Sequence, residues 1–227
     1  MKILAIDTAE DACSAALLVD EEVRSRFEIA PRRHSELILP MMDQLLAEAG
    51  LALTQLDAVA FGRGPGSFTG VRIAAAVAQG AAFAAQLPVA PVSTLRALAA
   101  RVRREAAAGP VLAALDARMG EVYWLADPAA GESADGLEQV LPPSAVPLPA
   151  GAGWTGAGSG WDSYRDTLAA RLGPVVAAVR PGIRVHAHDV AVLGAAACRR
   201  GALVAPEQAQ PVYLRDEVAW KKQRSAG

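Results

Sequence analysis

The chain has 227 residues, 52% hydrophobic and 20% charged, which supports a buried core in one large domain or two lobes and excludes a disordered chain. Its 22 Lys and Arg against 24 Asp and Glu leave a net charge of −2, so there is no global basic field; an RNA partner would need a local patch or another subunit. Cys13 and Cys198 stand far apart in apolar surroundings and read as reduced core residues, and the start MKILAIDT reaches an aspartate too soon for a signal peptide.

Residues 2 to 30 predict three strands, Ile3–Asp7, Ser14–Val19 and Val23–Ile29, with turns at Thr8–Ala12 and Asp20–Glu22. His34-Ser35-Glu36 opens a helix running from Ser35 to Ala49, and Gly50 follows it as a left-handed C-terminal residue. Next come a buried strand at Asp57–Gly62, a long helix at Phe68–Gln86 and a strand at Val89–Val92. Ser93 then N-caps a helix to Ala107. This order is that of a ribonuclease-H-like lobe, antiparallel strands first and parallel crossovers after. Beyond Gly109-Pro110 the pattern restarts more weakly. Val111–Asp116 and Glu121–Ala126 pair across a tight turn, residues 127 to 160 carry one or two short strands, and helices fall at Asp162–Leu172 and Asp189–Arg200. The longest apolar run, Ile73 to Ala85, is interrupted by Gln79 and Gly80 and is too short to span a bilayer. The expectation is a cytoplasmic protein without membrane contact.

Each half opens on an apolar strand ending in an aspartate, Asp7 and Asp116. In two-lobed phosphotransferases such aspartates hold magnesium and orient phosphates, with glycine beside them for close backbone approach. Here the neighbours are Thr8-Ala9 and Ala117-Arg118, and the other reading is that each aspartate organises its own turn. The run GRGPGSFTGVR at residues 62 to 72 follows a strand and opens a helix, the setting in which helix N-termini bind anions. No lysine follows the glycines, so it is not a Walker loop. Asp7, Thr8, Gly64, Gly66, Ser67 and Asp116 form a candidate vestigial nucleotide or phosphate site. The alternative is a packing corner in which Gly64, Gly66 and Gly70 permit tight turns and Ser67 or Thr69 caps the helix.

The two helices flanking that loop are apolar over more of their surface than one sheet contact needs. Leu37, Met41 and Leu45 form one row and Ile38, Met42 and Leu46 the next, while the second helix is Ala-rich with Arg72, Gln79 and Gln86 on one stripe. They either fill a generous core or offer a second face to another protein. His186-x-His188 lacks a third metal ligand nearby and reads as a solvated helix entrance; no metal site is expected. The tail carries Lys221, Lys222 and Arg224 beside Asp216 and Glu217, an ordinary solvated end or a small RNA-touching patch.

The segments IDTAEDACSAAL, RRHSELILPMMDQLL, FGRGPGSFTGVRIAAAVAQG, PVSTLRALA, LDARMGEVYW and PVYLRDEVAWKK together resemble the bacterial TsaB (YeaZ) family. That resemblance implies a two-lobed actin/sugar-kinase/chaperone-like α/β fold, with a complete first lobe over residues 1–108 and a smaller, irregular second lobe over 109–227. It implies a scaffold in making N6-threonylcarbamoyladenosine at tRNA position 37, paired as a heterodimer with the catalytic paralogue TsaD, joined by the ATPase TsaE and meeting tRNA through the complex. His34, Leu37, Ile38, Met41, Met42, Leu45, Val71, Arg72, Ala75, Ala76, Gln79 and Phe83 would line the interface. Alone, the same face would make a homodimer. TsaD-type catalysts carry an HxxxH metal pair on the helix after the fifth strand; Ser93-Thr94-Leu95-Arg96-Ala97-Leu98 has no histidine, which points to a non-catalytic subunit. No intrinsic cofactor is expected, with ATP or ADP at a subunit junction of the complex left open. The rival is an ATP-dependent phosphotransferase or ATPase using Asp7 and Asp116.

Overall fold

Three strands, β1 (Lys2–Asp7), β2 (Ala12–Val19) and β3 (Glu22–Ile29), run antiparallel in the computed structural model, which describes residues 1–128 and 137–215. Short turns between them allow no other pairing. Helix α1 (His34–Ala49) then carries the chain across to β4 (Ala58–Gly62), and α2 (Phe68–Ala85) carries it to β5 (Val89–Val92). β4 pairs parallel with β1 and β5 parallel with β4, giving the order β3-β2-β1-β4-β5. The central strands are buried on both faces, which explains their unbroken apolar sequence. α1 ends as its sequence requires, with Gly50 at φ 64° donating its N–H to Ala47.

The second lobe repeats this plan strand by strand, with only a short 3-10 turn at Pro143–Ala145 in the place of α1. β6 (Val111–Arg118), β7 (Glu121–Asp127) and β8 (Gln139–Leu141) are antiparallel neighbours, and β9 (Trp154–Ala157) and β10 (Val176–Arg180) add in parallel on the other side of β6. The order β10-β9-β6-β7-β8 mirrors the first sheet. The second lobe thus keeps the full strand order but lacks a counterpart of α1, in keeping with the smaller and less regular lobe expected from the sequence. Its outer strands are short, β8 has no fully buried residue, and β10 is half exposed, so none shows an alternating apolar face. α4 (Ser159–Leu172) covers the outer face, where Trp124 and Trp161 are fully buried. The chain thus has the two-lobed actin/sugar-kinase/chaperone-like α/β fold.

Two helices are exchanged between the lobes. α3 (Thr94–Ala106), leaving β5 of the first sheet, packs on β6 and β7 of the second. α5 (Ala187–Arg199), leaving β10 of the second, lies on β1, β2 and β4 of the first. By chain order a division at residue 108 assigns α5 to the second lobe; by packing it closes the inner face of the first. Gly194 makes the approach possible, since a Cβ there would lie 2.6 Å from the Ala60 Cβ. One apolar cluster consequently runs through both lobes, from Ile3 and Ala60 through Leu95, Leu98 and Val190 to Leu115 and Leu125.

Candidate functional site

The glycine run forms a corner between β4 and α2, and three of its N–H donors bond within the chain. Ser67 N–H bonds the Ala9 carbonyl at 2.7 Å, Gly64 N–H bonds Thr94 Oγ1 at 3.1 Å, and Gly70 N–H bonds the Ser67 hydroxyl at 3.0 Å. Thr8 Oγ1 in turn donates to the Gly70 carbonyl at 2.7 Å. A Cβ at Gly70 would sit 1.9 Å from the Thr8 carbonyl oxygen, and one at Gly66 would sit 2.6 Å from that of Ala9. The glycines are thus needed so that the corner can seat on the β1–β2 turn. Thr8 and Ala9 backbone lies directly against Gly70 and Gly66 on the side where a side chain would stand. Ser67 is the N-cap of α2, and Ser93 caps α3 by accepting from Arg96 N–H.

Asp7 and Asp116 do not converge through any hydrogen bond among the described residues. Asp7 is 1% exposed; its Oδ1 accepts the Ala9 N–H at 3.1 Å, and its Oδ2 lies against Gly62 without a partner. Burial, reinforced by nearby Glu10, pushes its carboxyl up to about 7. Asp116 organises its own hairpin, accepting Arg118 N–H at 2.8 Å and the Tyr164 hydroxyl at 3.4 Å. What joins the lobes at this place is a set of residues the sequence did not mark. Glu10 accepts the Ser159 hydroxyl at 2.6 Å and Val185 N–H at 3.1 Å, while Ser159 Oγ accepts Asp116 N–H. Arg184 bonds Asp11 and Asp162, each at 2.8 Å. Glu10 had one available signal, a carboxylate within the otherwise small-residue turn after β1; Ser159 and Arg184 had none, being distant in sequence.

The C-terminal segment crosses the same side of the molecule. Gln79 Nε2 donates to the Ala209 carbonyl at 3.1 Å, and Val212 N–H bonds the Arg63 carbonyl at 2.8 Å. Arg215 donates to the Ala117 carbonyl and pairs with Glu121 on the β6–β7 hairpin. Residues 209–215 therefore strap the glycine corner to the second lobe. Asp216, Glu217, Lys221, Lys222 and Arg224 lie outside the described residues.

The helices expected to form an interface divide sharply by exposure. His34, Ile38, Met41, Met42, Leu45, Val71 and Ala75 are buried in this chain's own core against β1, β2 and β4, so their side chains do not form an outer surface. This corrects their assignment, because the wide apolar sector of α1 is used up by the sheet and by α2. Leu37 and Gln79 are half-buried. The outer face that remains is carried mainly by α2, with Phe68 63% exposed, Phe83 76% exposed, and Arg72, Ala76 and Gly80 between them; Leu39 of α1 adds to it. Among the described residues α2 is the one helix long and apolar enough to cross a membrane, longer than the run that begins at Ile73 because Phe68–Arg72 belong to it. Its inner face is nevertheless packed on β4, and its polar residues Arg72 and Gln79 lie on the chain's own surface and strap.

The histidines are structural. His186 Nδ1 accepts His188 N–H and so caps α5, its ring stacks on Phe27 at 5.0 Å, and burial lowers it to about 4. His34 is the buried first residue of α1, and its side chain makes no capping bond. Cys13 and Cys198 are free thiols, the former pushed up to about 12 by burial. No group of three or more His, Cys, Asp or Glu capable of holding a metal occurs among the described residues.

Comparison with known proteins places this geometry. The family model for TsaD, tRNA N6-adenosine threonylcarbamoyltransferase, matches residues 21–223. The tRNA threonylcarbamoyladenosine biosynthesis protein TsaB of Escherichia coli is 45% identical, with 98% of each chain covered. The Haemophilus influenzae protein of the same name is 38% identical over 98% of this chain and 97% of its own. The crystal structure of YeaZ from Pseudomonas aeruginosa superposes with a TM-score of 0.86 at 47% identity, covering 94% of this chain and 99% of that one.

Proposed function

We propose that this chain, which belongs to the TsaB (YeaZ) family within the wider TsaD-type family, is a non-catalytic subunit of the bacterial machinery that makes N6-threonylcarbamoyladenosine in tRNA. It pairs with TsaD as a heterodimer, recruits TsaE, meets tRNA through the complex and works in the cytoplasm, where the tRNA is. The observation that carries this reading is the outer face of α2. Only 33% of that helix is buried, yet its composition is apolar enough for a membrane span. An apolar helix face left uncovered on one chain is a contact surface for another. Phe68 and Phe83 supply large anchors at its two ends, and Ala76 and Gly80 allow a partner helix to approach closely between them. In the absence of TsaD, a second copy would cover the same face.

The non-catalytic assignment is supported by the glycine corner, where Gly66 and Gly70 seat closely on Ala9 and Thr8, and by the missing HxxxH pair on α3. Any ATP or ADP in the assembly would then be bound at a junction with another subunit. The test is modification of tRNA by TsaD, TsaE and the threonylcarbamoyl-adenylate synthase, with and without this chain. Modification should require the chain. Magnesium-dependent ATP turnover by the chain alone, abolished by Asp7→Ala, would overturn the reading.

A further inference from the structure

At the N-terminal end of the exposed face of α2, an arginine is held in a fixed orientation by two aromatic rings. The Arg72 guanidinium carbon lies 3.3 Å from the centroid of the Phe68 ring and 5.2 Å from that of Tyr213, and the two rings are 6.3 Å apart. Phe68 stands one helical turn before Arg72, so that stack follows from the helix itself. Tyr213 comes from the strap, seated next to Val212, whose N–H bonds the Arg63 carbonyl. Both rings are exposed, 63% and 45%, and among the described residues no carboxylate pairs with Arg72. Contrast Arg184, Arg103 and Arg104, whose guanidinium groups each find an acid within the chain.

Stacking engages the faces of a guanidinium and leaves its coplanar N–H edges unspent. A cation so held has already lost its rotamer freedom, and its fork matches the two oxygens of one carboxylate. We infer that Arg72, clamped by Phe68 and Tyr213, is the receiver for an acidic side chain of the partner that covers α2, making one in-plane, two-point ion pair at the edge of an otherwise apolar contact. The inference rests on the docking role proposed above and adds to it the chemistry that fixes the register of the partner on the helix. The strap thereby becomes part of the docking surface, because the receiver is assembled only when residues 212 and 213 are seated. Charge complementarity favours a carboxylate over an apolar group here, because covering an unpaired guanidinium with hydrocarbon would strip its water without return.

The experiment measures binding of TsaD to the full chain and to Arg72→Ala, Arg72→Lys, Tyr213→Ala and Tyr213→Phe. Arg72→Ala should weaken binding by at least about tenfold, and Arg72→Lys nearly as much, since lysine keeps the charge but not the planar fork. Tyr213→Ala should weaken it several-fold, and Tyr213→Phe should leave it unchanged, because the ring and not the hydroxyl is used. Raising salt from ~50 mM to ~500 mM should weaken the wild-type complex more than the Arg72→Ala complex. Equal affinity for wild type, Arg72→Ala and Arg72→Lys would overturn the receiver while leaving the docking role intact. Failure of the wild-type chain itself to bind TsaD would overturn both.

Discussion

Asp7 shows how one residue type in one place can serve opposite ends in related folds. A strand-end aspartate that faces solvent and glycine can hold a cation; here the same carboxylate is pressed against Gly62, with one oxygen bonded to Ala9 N–H and the other unpartnered. Burial favours its protonated form, so folding binds a proton over the range between the ordinary carboxylate value of 3.8 and about 7. The stability from this neutral acid is fully present below the ordinary value and is lost as pH rises through about 7. The cost at alkaline pH is on the order of 4 kcal/mol. Asp7→Asn keeps the shape and the Ala9 acceptor and cannot ionise. The variant should therefore gain stability relative to wild type between pH 5 and pH 8 in urea unfolding; a difference that stays constant across that range would refute the account.

At the scale of elements, α2 is the informative one, because its two faces meet different surroundings over the same alanine-rich sequence. Ala75 is 3% exposed and packs toward the first sheet, whereas its neighbour Ala76 faces out. A carboxylate at position 75 must be buried without a partner, so Ala75→Glu should cost about 3 kcal/mol or more and lower the melting temperature accordingly. Ala76→Glu should leave stability within about 0.5 kcal/mol while sharply reducing association with TsaD. A folded Ala76→Glu variant that binds TsaD normally would remove α2 from the contact. The pair separates a packing role from a docking role one residue apart. For α1 the outcome is simpler: Met41, Leu45, Ile38, Met42 and Leu46 are core, Leu37 is half-buried, and the larger apolar residue exposed on its outside is Leu39.

The whole molecule is held together across its midline by exchange. α3 and α5 each close the sheet of the other lobe, so neither lobe has a covered inner face without the opposite half. Polar links reinforce this where Arg184 ties Asp11 of the β1–β2 turn to Asp162 of α4 and Glu10 meets Ser159. Arg184→Ala should cost about 1–2 kcal/mol, the partly exposed acids being left without their shared cation. Loss should appear in a single melting transition that includes both lobes; an unchanged transition would show the clamp to be idle. Much of this molecule was determined by sequence alone. Strand and helix positions in the first half follow from apolar periodicity, from Ser67 and Ser93 as caps and from Gly50 as a stop, because these are short-range effects of backbone geometry. The family was legible in the glycine run and in DARMGEVYW for the same reason, since a corner that admits only glycine leaves a mark in the chain. Tertiary structure alone decided the rest. Whether Ala75 or Ala76 faces outward depends on where a sheet lies, and whether a loop of glycines cradles an anion depends on whether Thr8 and Ala9 already fill it. The ring that clamps Arg72 comes from Tyr213, brought there by a strap that no local pattern announces, because its partners Arg63 and Arg72 stand far away in the chain.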